Sequence, residues 1–408
     1  MLKPRRLLCL LLLLPLPSFD AEKPKVRAIT AFVQLDRARY QAQIRATLDF
    51  LGKTKASLEK AGYEVETIRI STQPFPEYTR GLTRDQALAF FREYDQLAAK
   101  ENFLAAIGPA MLNDSDDPAQ AELLGEILKA NSNLDASLVV AGEDGVHWRA
   151  VRAAAGLMKF LEEESAHSQG NFHFAATSML PEGTPFYPGS YHRGPGHFFA
   201  IALESANVVA EALASAPGDP AGARKALVAS LGAHARAIEA VALRVEKLSG
   251  WRYGGMDLSP APLKDVSIGA ALESFTGQRV GSSGTLTAAA IITSALRDIP
   301  VKHAGYSGLM LPVLEDSVLA RRWSEGALTL DSLLAYSAVC GTGLDTVPLP
   351  GDITEDQLAR IIGDMASLSV KWRKPLSARL LPVKGKKAFE KSTFDDPYLV
   401  NATLQPLP

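Results

Sequence analysis

The sequence predicts an α/β fold, and three observations support the prediction. Short β-rich runs alternate with longer amphipathic stretches along most of the chain. This alternation is typical of parallel strands, because their connections must cross back over the sheet and usually contain a helix. The 408 residues are 47% apolar and 22% charged, a composition that can bury a large core and excludes disordered and collagen-like chains. No low-complexity linker divides the chain, so we expect one domain over residues 22–408.

The balance of charges argues against two classes of partner. The chain carries 43 basic and 45 acidic residues, a net charge of -2. Without a global field, attraction to nucleic acid or to an anionic membrane is not expected. The two cysteines, Cys9 and Cys340, are too few for a disulfide framework.

The first 21 residues resemble a secretory signal peptide. Lys3, Arg5 and Arg6 precede an apolar run that is shorter than a membrane span, and small and polar residues follow. Phe19 leaves the cleavage position open. We expect export to the periplasm or the medium, with no stable membrane insertion after cleavage, and an uncleaved membrane anchor is the alternative.

Ten runs are predicted to be strands. Residues 26–35 form a buried apolar run and residues 64–72 alternate in polarity, while Leu48 and Leu51 belong to a helical pattern over 39–61. Ten strands exceed the eight of the usual α/β barrel, so a larger and less regular barrel is expected. The other predicted strands are 103–110, 137–142, 172–179, 197–204, 253–259, 304–312, 344–350 and 377–383, and the other predicted helices are 119–130, 146–163, 206–214, 220–247, 266–275, 285–298, 328–338 and 354–370.

Several stretches rich in glycine and small hydroxyl residues carry a family resemblance. They are GGMDLSPAP (254–262), GSSGTLTAAAIITSAL (281–296), KHAGYSGLMLPVLED (302–316) and AVCGTGLDTVPLPGD (338–352), with STQPFPEYT (71–79), KPLSARLLPVKGKKA (374–388) and FDDPYL (394–399). Through them the sequence resembles the uncharacterised prokaryotic family known as domain of unknown function 711. The resemblance implies a ten-stranded α/β barrel similar to that of pyruvate formate-lyase, and it implies no particular reaction.

A glycyl radical is not expected despite this resemblance. Residues 304–306 read Ala-Gly-Tyr, as in a glycyl-radical motif, but Lys302 and His303 replace its arginine and its β-branched residue. Cys340 also follows the glycine segment, whereas the radical enzymes place the cysteine before it.

Cys340 itself has two interpretations. Gly341 and Gly343 favour a tight turn with exposed amides, in which a thiol near a base such as His303 could act as a nucleophile. Alternatively, Cys340 is a small buried hydrophobe, which is the commoner state of a free cysteine.

The GSSGT run at 281–285 directly precedes a predicted helix. Its backbone amides could hold a phosphate or carboxylate at the helix N-terminus, although no Walker-type lysine follows. In the alternative interpretation, the run is an ordinary loop with Ser283 as the helix cap.

Carboxylates stand at the predicted strand ends, where an α/β barrel binds its ligands. Asp257, Glu315, Asp316 and Asp345 could act as acid–base groups or as oxygen ligands of a divalent cation, and capping or surface roles are the alternative. No residue spacing indicates a structural zinc site, and we assign no metal ligands. Arg379 interrupts an apolar strand pattern, so it needs an acidic or anionic partner.

The Gly/Pro-rich segment 181–197 is predicted to be a long ordered loop. Tyr187, Tyr191, His192, Arg193 and His197 could form a lid over the barrel, or they could simply be solvated.

Two hypotheses of function follow. The first is an enzyme that acts on a small anionic metabolite inside the barrel by acid–base or thiol chemistry; the second is a non-catalytic protein that binds or senses such a molecule in the same pocket. We expect the GSSGT, AGYSG and CGTG segments to converge on one cavity, and we predict neither the cofactor nor the oligomeric state. The candidate catalytic residues are Asp257 (as general base), His303, Cys340 and Asp345, and the candidate substrate-binding residues are Ser282, Ser283, Thr285, Gly305, Tyr306, Ser307, Thr342 and Arg379.

Overall fold

The structure is a computed structural model that describes residues 23–407, and the predicted signal peptide lies outside this range. The predicted α/β class is confirmed. The strands are β1 (Lys25–Val33), β2 (Val65–Thr72), β3 (Leu104–Pro109), β4 (Leu134–Gly142), β5 (Gly145–Val146), β6 (Phe174–Ser178), β7 (His197–Glu204), β8 (Arg252–Asp257), β9 (Gly343–Pro350) and β10 (Leu376–Val383).

Twelve α-helices connect or flank these strands within the described range. A 3-10 segment, Ala166–His173, precedes β6. The helices are α1 (Tyr40–Lys60), α2 (Phe75–Thr79), α3 (Arg84–Glu101), α4 (Ala119–Ala130), α5 (Trp148–Glu164), α6 (Ala206–Ala214), α7 (Pro220–Ser249), α8 (Ile268–Thr276), α9 (Thr285–Arg297), α10 (Ser317–Ser324), α11 (Leu330–Ser337) and α12 (Glu355–Trp372).

All ten strands belong to one mixed sheet, in the order β8-β7-β1-β2-β3-β4-β6-β10-β9 with β5 paired to β4. Strands β1, β2, β3, β4 and β6 pair in parallel, as expected for helical crossovers. However, β7 is antiparallel to β1 and β10 is antiparallel to β6. The direction reverses after β6 because its connection to β7 is a loop, which does not carry the chain back to the other end of the sheet.

The predicted strand over 304–312 is wrong. Gly305 and Ser307 have positive φ values of 61° and 41°, which an extended strand does not allow. The segment instead makes one isolated parallel bridge to each edge of the sheet, at Met256–His303 and at Pro312–Asp345. No ladder pairs β8 with β9, so the sheet is not closed by regular strand pairing in the described residues.

The helices cover one face of the sheet with their apolar sides. On α1, for example, Ile44, Leu51 and Leu58 are buried in the main core cluster. Helix α7 has the length and composition of a membrane span, but it packs as a covering helix against α1, α6, α9 and β8. The other face carries polar and small residues together with the stacked rings of Phe32 and Phe198, and it forms the site described next.

Candidate functional site

The loop between β6 and β7 lies against the inner face of the sheet. Thr30 Oγ1 donates a hydrogen bond to the carbonyl of Pro185 (3.0 Å), and the Tyr187 hydroxyl donates to the carbonyl of Ile70 (2.8 Å). The Ser71 and Ser190 hydroxyls lie 2.7 Å apart. These bonds hold the loop against the inner face of the sheet, so its central part is a buried wall and does not form a surface lid.

The residues suggested for a lid therefore divide into two groups. Tyr187 lines an internal cavity, and Tyr191 and His192 are buried. Arg193 and His197 are exposed. Burial lowers the pKa of the His192 imidazole.

A cavity of about 470 Å³ lies beneath the tip of this loop. Its walls come from the inner faces of β1, β2, β3, β4, β6, β9 and β10, and from the 306–315 segment. This volume is typical of small-molecule sites. Its charged and histidine lining consists of Arg27, Glu66, Arg69, Asp135, His173, Glu315, Asp345, Arg379 and Asp396.

β-Bulges occur beside two of these charged residues. Between Val26 and Ala28 the pairing of β1 with β7 shifts by one residue, which leaves Arg27 as the extra residue. In β9 the register shift opposite Arg379 includes Thr346, whose φ is 43°. Bulges re-aim side chains that regular alternation would direct elsewhere.

Arg27 is paired with carboxylates on both neighbouring strands. Its Nη1 lies 3.2 Å from Glu66 Oε2 and 2.8 Å from Glu204 Oε2. Burial and the neighbouring Glu66 carboxylate raise the pKa of Glu204 to about 7. The Glu204 carboxyl group therefore titrates near neutral pH.

Arg379 has the acidic partners that its burial requires. It donates to Asp345 Oδ1 from Nε (2.8 Å) and it also pairs with Glu315. Burial lowers the pKa of the Arg379 guanidinium, but these two carboxylates outweigh burial and raise it overall. Burial raises the pKa of Glu315.

Arg69 differs from the other two arginines because it has no carboxylate partner within 4.0 Å in the described residues. Its exposed fraction is 7%, and its Nε donates to Thr67 Oγ1 at 3.1 Å. The Tyr187 ring covers the guanidinium at 4.8 Å. Burial, with a smaller contribution from Arg27, lowers the pKa of Arg69 to about 10. A buried guanidinium that lines a cavity without a directly paired carboxylate has the chemistry to bind an anion.

A histidine and a carboxylate meet on the same wall. His173 Nδ1 lies 3.5 Å from Asp135 Oδ1. Burial lowers the pKa of His173, but the Asp135 carboxylate outweighs it and raises the pKa overall. A histidine held near a carboxylate in a cavity is suited to proton transfer.

Four of the twelve candidate catalytic and substrate-binding residues line this cavity: Tyr306, Thr342, Asp345 and Arg379. Glu315, one of the predicted strand-end carboxylates, lines it as well. The Tyr306 hydroxyl donates to Ser377 Oγ at 3.2 Å, and burial raises its pKa. Thr342 Oγ1 is buried and makes no hydrogen bond within the described chain. The AGYSG and CGTG segments thus lie at one site.

Asp257 does not line the cavity. Its buried carboxylate accepts hydrogen bonds from Ser259 N (3.0 Å) and Ser259 Oγ (2.7 Å). It also accepts from the amides of Tyr306 (2.7 Å) and Ser307 (2.9 Å). Burial raises the pKa of Asp257, and these four bonds oppose that shift. The geometry is that of an anchor for the 304–308 turn.

His303 and Gly305 line a separate cleft of about 270 Å³. His303 Nε2 lies 2.9 Å from the Ile299 carbonyl, and its Nδ1 lies 3.3 Å from Ser307 Oγ. Both ring nitrogens are therefore engaged with the surrounding turn.

Cys340 packs in the apolar core, with 1% of its surface exposed, and lines none of the cavities described. Its carbonyl accepts a hydrogen bond from Lys374 Nζ. This environment matches the interpretation of Cys340 as a buried hydrophobe.

The GSSGT segment lies elsewhere and does not join the cavity. It opens α9 among the covering helices, where Ser283 is exposed and Ser282 is half-buried. Thr285 Oγ1 accepts from the amide of Gly281 (3.2 Å), a local bond at the start of the helix. The expected convergence therefore holds for two of the three segments.

Several cavity residues were missed at the sequence level. A charged side chain inside a β-rich run needs a partner, and this holds for Arg27 and Arg69 as it does for Arg379. Asp135 and His173 carry no comparable signal, because Asp135 stands at the start of β4 and His173 directly precedes β6. In residues 23–407 no group of three or more His, Cys, Asp or Glu side chains is arranged to hold a metal ion.

A wider groove of about 1020 Å³ lies at the opposite ends of β1 and β2. Its charges are exposed, and Arg39 is already paired with Asp36 at 2.8 Å. The groove therefore lacks the buried, unpaired charge that distinguishes the internal cavity.

Comparison with known proteins identifies the family. The profile of the family described as Uncharacterised ACR (DUF711) matches residues 19–395. The chain belongs to this family. A UPF0210 protein of Pyrobaculum aerophilum is 34% identical over 359 residues, which cover 83% of this chain and 79% of that protein. A UPF0210 protein of Bifidobacterium longum subsp. infantis is 30% identical over 315 residues, 73% of this chain and 69% of that protein. Membership in DUF711 confirms the family predicted from the sequence and assigns no reaction.

Proposed function

We propose that this protein is an enzyme that binds a small anionic metabolite in the cavity of about 470 Å³ and acts on it by acid–base chemistry. Arg69 carries this proposal. It is buried, it lines the cavity, and it has no carboxylate partner in the described residues. An anionic group on the ligand supplies the missing counterion and removes the cost of burying that charge alone.

His173 is the proposed acid–base group. Its raised pKa favours the imidazolium form, which can donate a proton, and the neutral imidazole can accept one. Asp135 stabilises the imidazolium form at 3.5 Å. Thiol chemistry is not part of the proposal, because Cys340 lies in the apolar core.

We further propose that the sheet and the 302–313 segment together form a barrel around the ligand. Support comes from the isolated bridges at Met256–His303 and Pro312–Asp345, which link this segment to the two edge strands. The cavity walls, which come from seven strands, support the same arrangement. If the barrel is closed in this way, the fold resembles that of pyruvate formate-lyase, as the family resemblance implies.

Solvent deuterium exchange tests the acid–base proposal. The full chain is incubated in D₂O with a library of small carboxylates and phosphates, and NMR follows the loss of C–H signals adjacent to the anionic group. We expect exchange for at least one compound and a rate about 10²–10⁴-fold lower for H173Q, with binding retained. R69Q should abolish binding, whereas R45Q, at an exposed position on α1, should behave as wild type. Unchanged exchange by H173Q contradicts the role of His173.

A non-catalytic binding protein is the second candidate function. Most ionisable groups in the cavity are held in ion pairs, as Arg379 is with Asp345 and Glu315, which favours a fixed recognition surface. Saturable binding that depends on Arg69, without exchange for any compound, would establish this alternative.

A further inference from the structure

The cavity contains a second charged group with too few partners. Asp135 has 6% of its surface exposed, and its one ion-pair partner in the described chain is His173 Nδ1, 3.5 Å from Oδ1. No hydrogen bond shorter than this reaches either of its carboxylate oxygens from residues 23–407. A buried carboxylate normally accepts several hydrogen bonds, so a ligand donor is expected at its free oxygen.

The sheet register places Asp135 and Arg69 on the same wall. Ala106 of β3 pairs with Ser71 on one side and with Asp135 on the other. Ser71 and Arg69 are two residues apart on β2, so their side chains share the inner face. One strand separates β2 from β4, and their backbones are therefore about 10 Å apart. The unpaired cation and the under-satisfied anion thus face one small space.

Tyr187 limits how a ligand can reach the cation. Its ring covers one face of the Arg69 guanidinium at 4.8 Å, and Nε is occupied by Thr67. The remaining N–H groups lie along the edge of the guanidinium, which is the geometry that binds a planar carboxylate through two parallel hydrogen bonds.

The overall charge of the cavity favours a ligand that carries a positively charged group in addition to its anionic group. Three arginines and five carboxylates line it, and two of those arginines already have carboxylate partners. A purely anionic ligand would satisfy Arg69 but would remain close to the excess of negative charge. A ligand that also carries a positive charge is compatible with both.

We propose that the ligand is a zwitterion of the α-amino acid class, with its carboxylate on Arg69 and its ammonium group on the free oxygen of Asp135. This inference rests on the proposed function, because it uses the same cavity and the same anion-binding arginine. In this binding mode, Asp135 selects ligands that carry an amino group over those that lack one.

Paired probes test this inference. The probes are the proteinogenic amino acids and, for each, the matching acid that lacks the amino group, and saturation-transfer NMR ranks their binding to the full chain. We expect at least one amino acid to bind about tenfold or more tightly than its deaminated partner. In D135N this preference should be lost while the carboxylate still binds, and R69Q should weaken both members of the pair.

The outcomes separate the inference from the proposed function. If the deaminated acid binds as tightly as the amino acid and R69Q abolishes both, the anion site stands and the zwitterion is wrong. If D135N keeps the preference, Asp135 is not the selecting group. If no probe binds, or R69Q binds as wild type does, both proposals fail. D49N, at an exposed position on α1, should match the wild type, and circular dichroism of D135N verifies that it is folded.

Discussion

At the scale of single residues, the site depends on which buried charges are paired. Arg27 has three carboxylate partners within 4.0 Å and Arg379 has two, whereas Arg69 has none in the described chain. Paired guanidiniums shape the wall of the cavity, whereas the unpaired one is the proposed anion-binding group. The difference depends on neighbouring strands, so a single run of sequence does not reveal it.

The raised pKa of Glu204 predicts that the stability of the folded protein depends on pH. Its pKa is about 7 in the folded chain, against 4.5 for an unperturbed carboxyl group, so the folded state retains a proton over this interval. The contribution of Glu204 to stability is therefore complete below pH 4.5 and lost as the pH rises through 7. In urea denaturation from about pH 5 to 8, we expect wild-type stability to fall by about 1–3 kcal/mol relative to E204Q.

E64Q is the matched control for this measurement. Glu64 is exposed and pairs with Lys25 at 3.1 Å, so its removal should leave the pH profile as in wild type. If E204Q and wild type lose stability in parallel, Glu204 does not hold the retained proton.

The hydrogen bonds of Asp257 predict that replacing this residue destabilises the protein. Its carboxylate accepts four hydrogen bonds, and an asparagine side chain at this position has one oxygen to accept them. We expect D257N to lower the free energy of unfolding by about 1–3 kcal/mol in urea titrations. D265N, at an exposed position in the following loop, should leave stability unchanged. Equal stability of D257N and wild type would contradict the anchoring role.

At the scale of elements, the AGYSG and CGTG turns meet through glycines. A Cβ on Gly341 would lie 2.6 Å from the carbonyl carbon of Gly308, and the Gly341 amide donates to the Leu309 carbonyl at 2.6 Å. This close approach brings Tyr306 and Thr342 to the same cavity wall. It also explains why both segments are rich in glycine.

G341A should therefore be destabilising. The added methyl group forces the two turns apart, and we expect a loss of about 1–3 kcal/mol in thermal or urea denaturation. G52A is the matched control, because Gly52 lies within α1 and a Cβ at this position would have no neighbouring atom within 4 Å. Its substitution should raise stability by about 0.5–1 kcal/mol. If G341A is as stable as the wild type, the contact between Gly341 and Gly308 is not tight.

The elements were easier to predict than the site. Nine of the ten predicted strands overlap strands of the structure, because alternation and apolar runs are local signals. The exception, 304–312, is apolar because it is buried between the edges of the sheet, and burial alone does not distinguish a turn from a strand.

Arg27 and Asp345 enter the cavity beside β-bulges, which depend on pairing with a neighbouring strand. Asp135 and Arg69 are 66 positions apart, and only the sheet register joins them.

At the scale of the whole molecule, the cavity results from the long loop and the mixed sheet together. The loop enters after β6 and contacts β1 and β2 from within, while helices cover the outside. The site is therefore enclosed by elements from most of the chain. Export through the N-terminal segment stays a prediction, since that segment lies outside residues 23–407.

The central claim, that Arg69 holds a small anionic ligand in this cavity, is tested most directly by native mass spectrometry of the purified full chain. The wild type and R45Q should retain, or bind from a metabolite extract, one small molecule that carries a carboxylate or phosphate group. R69Q should lose this molecule while remaining folded. Retention of the same molecule by R69Q, or a retained molecule without an anionic group, would contradict the account.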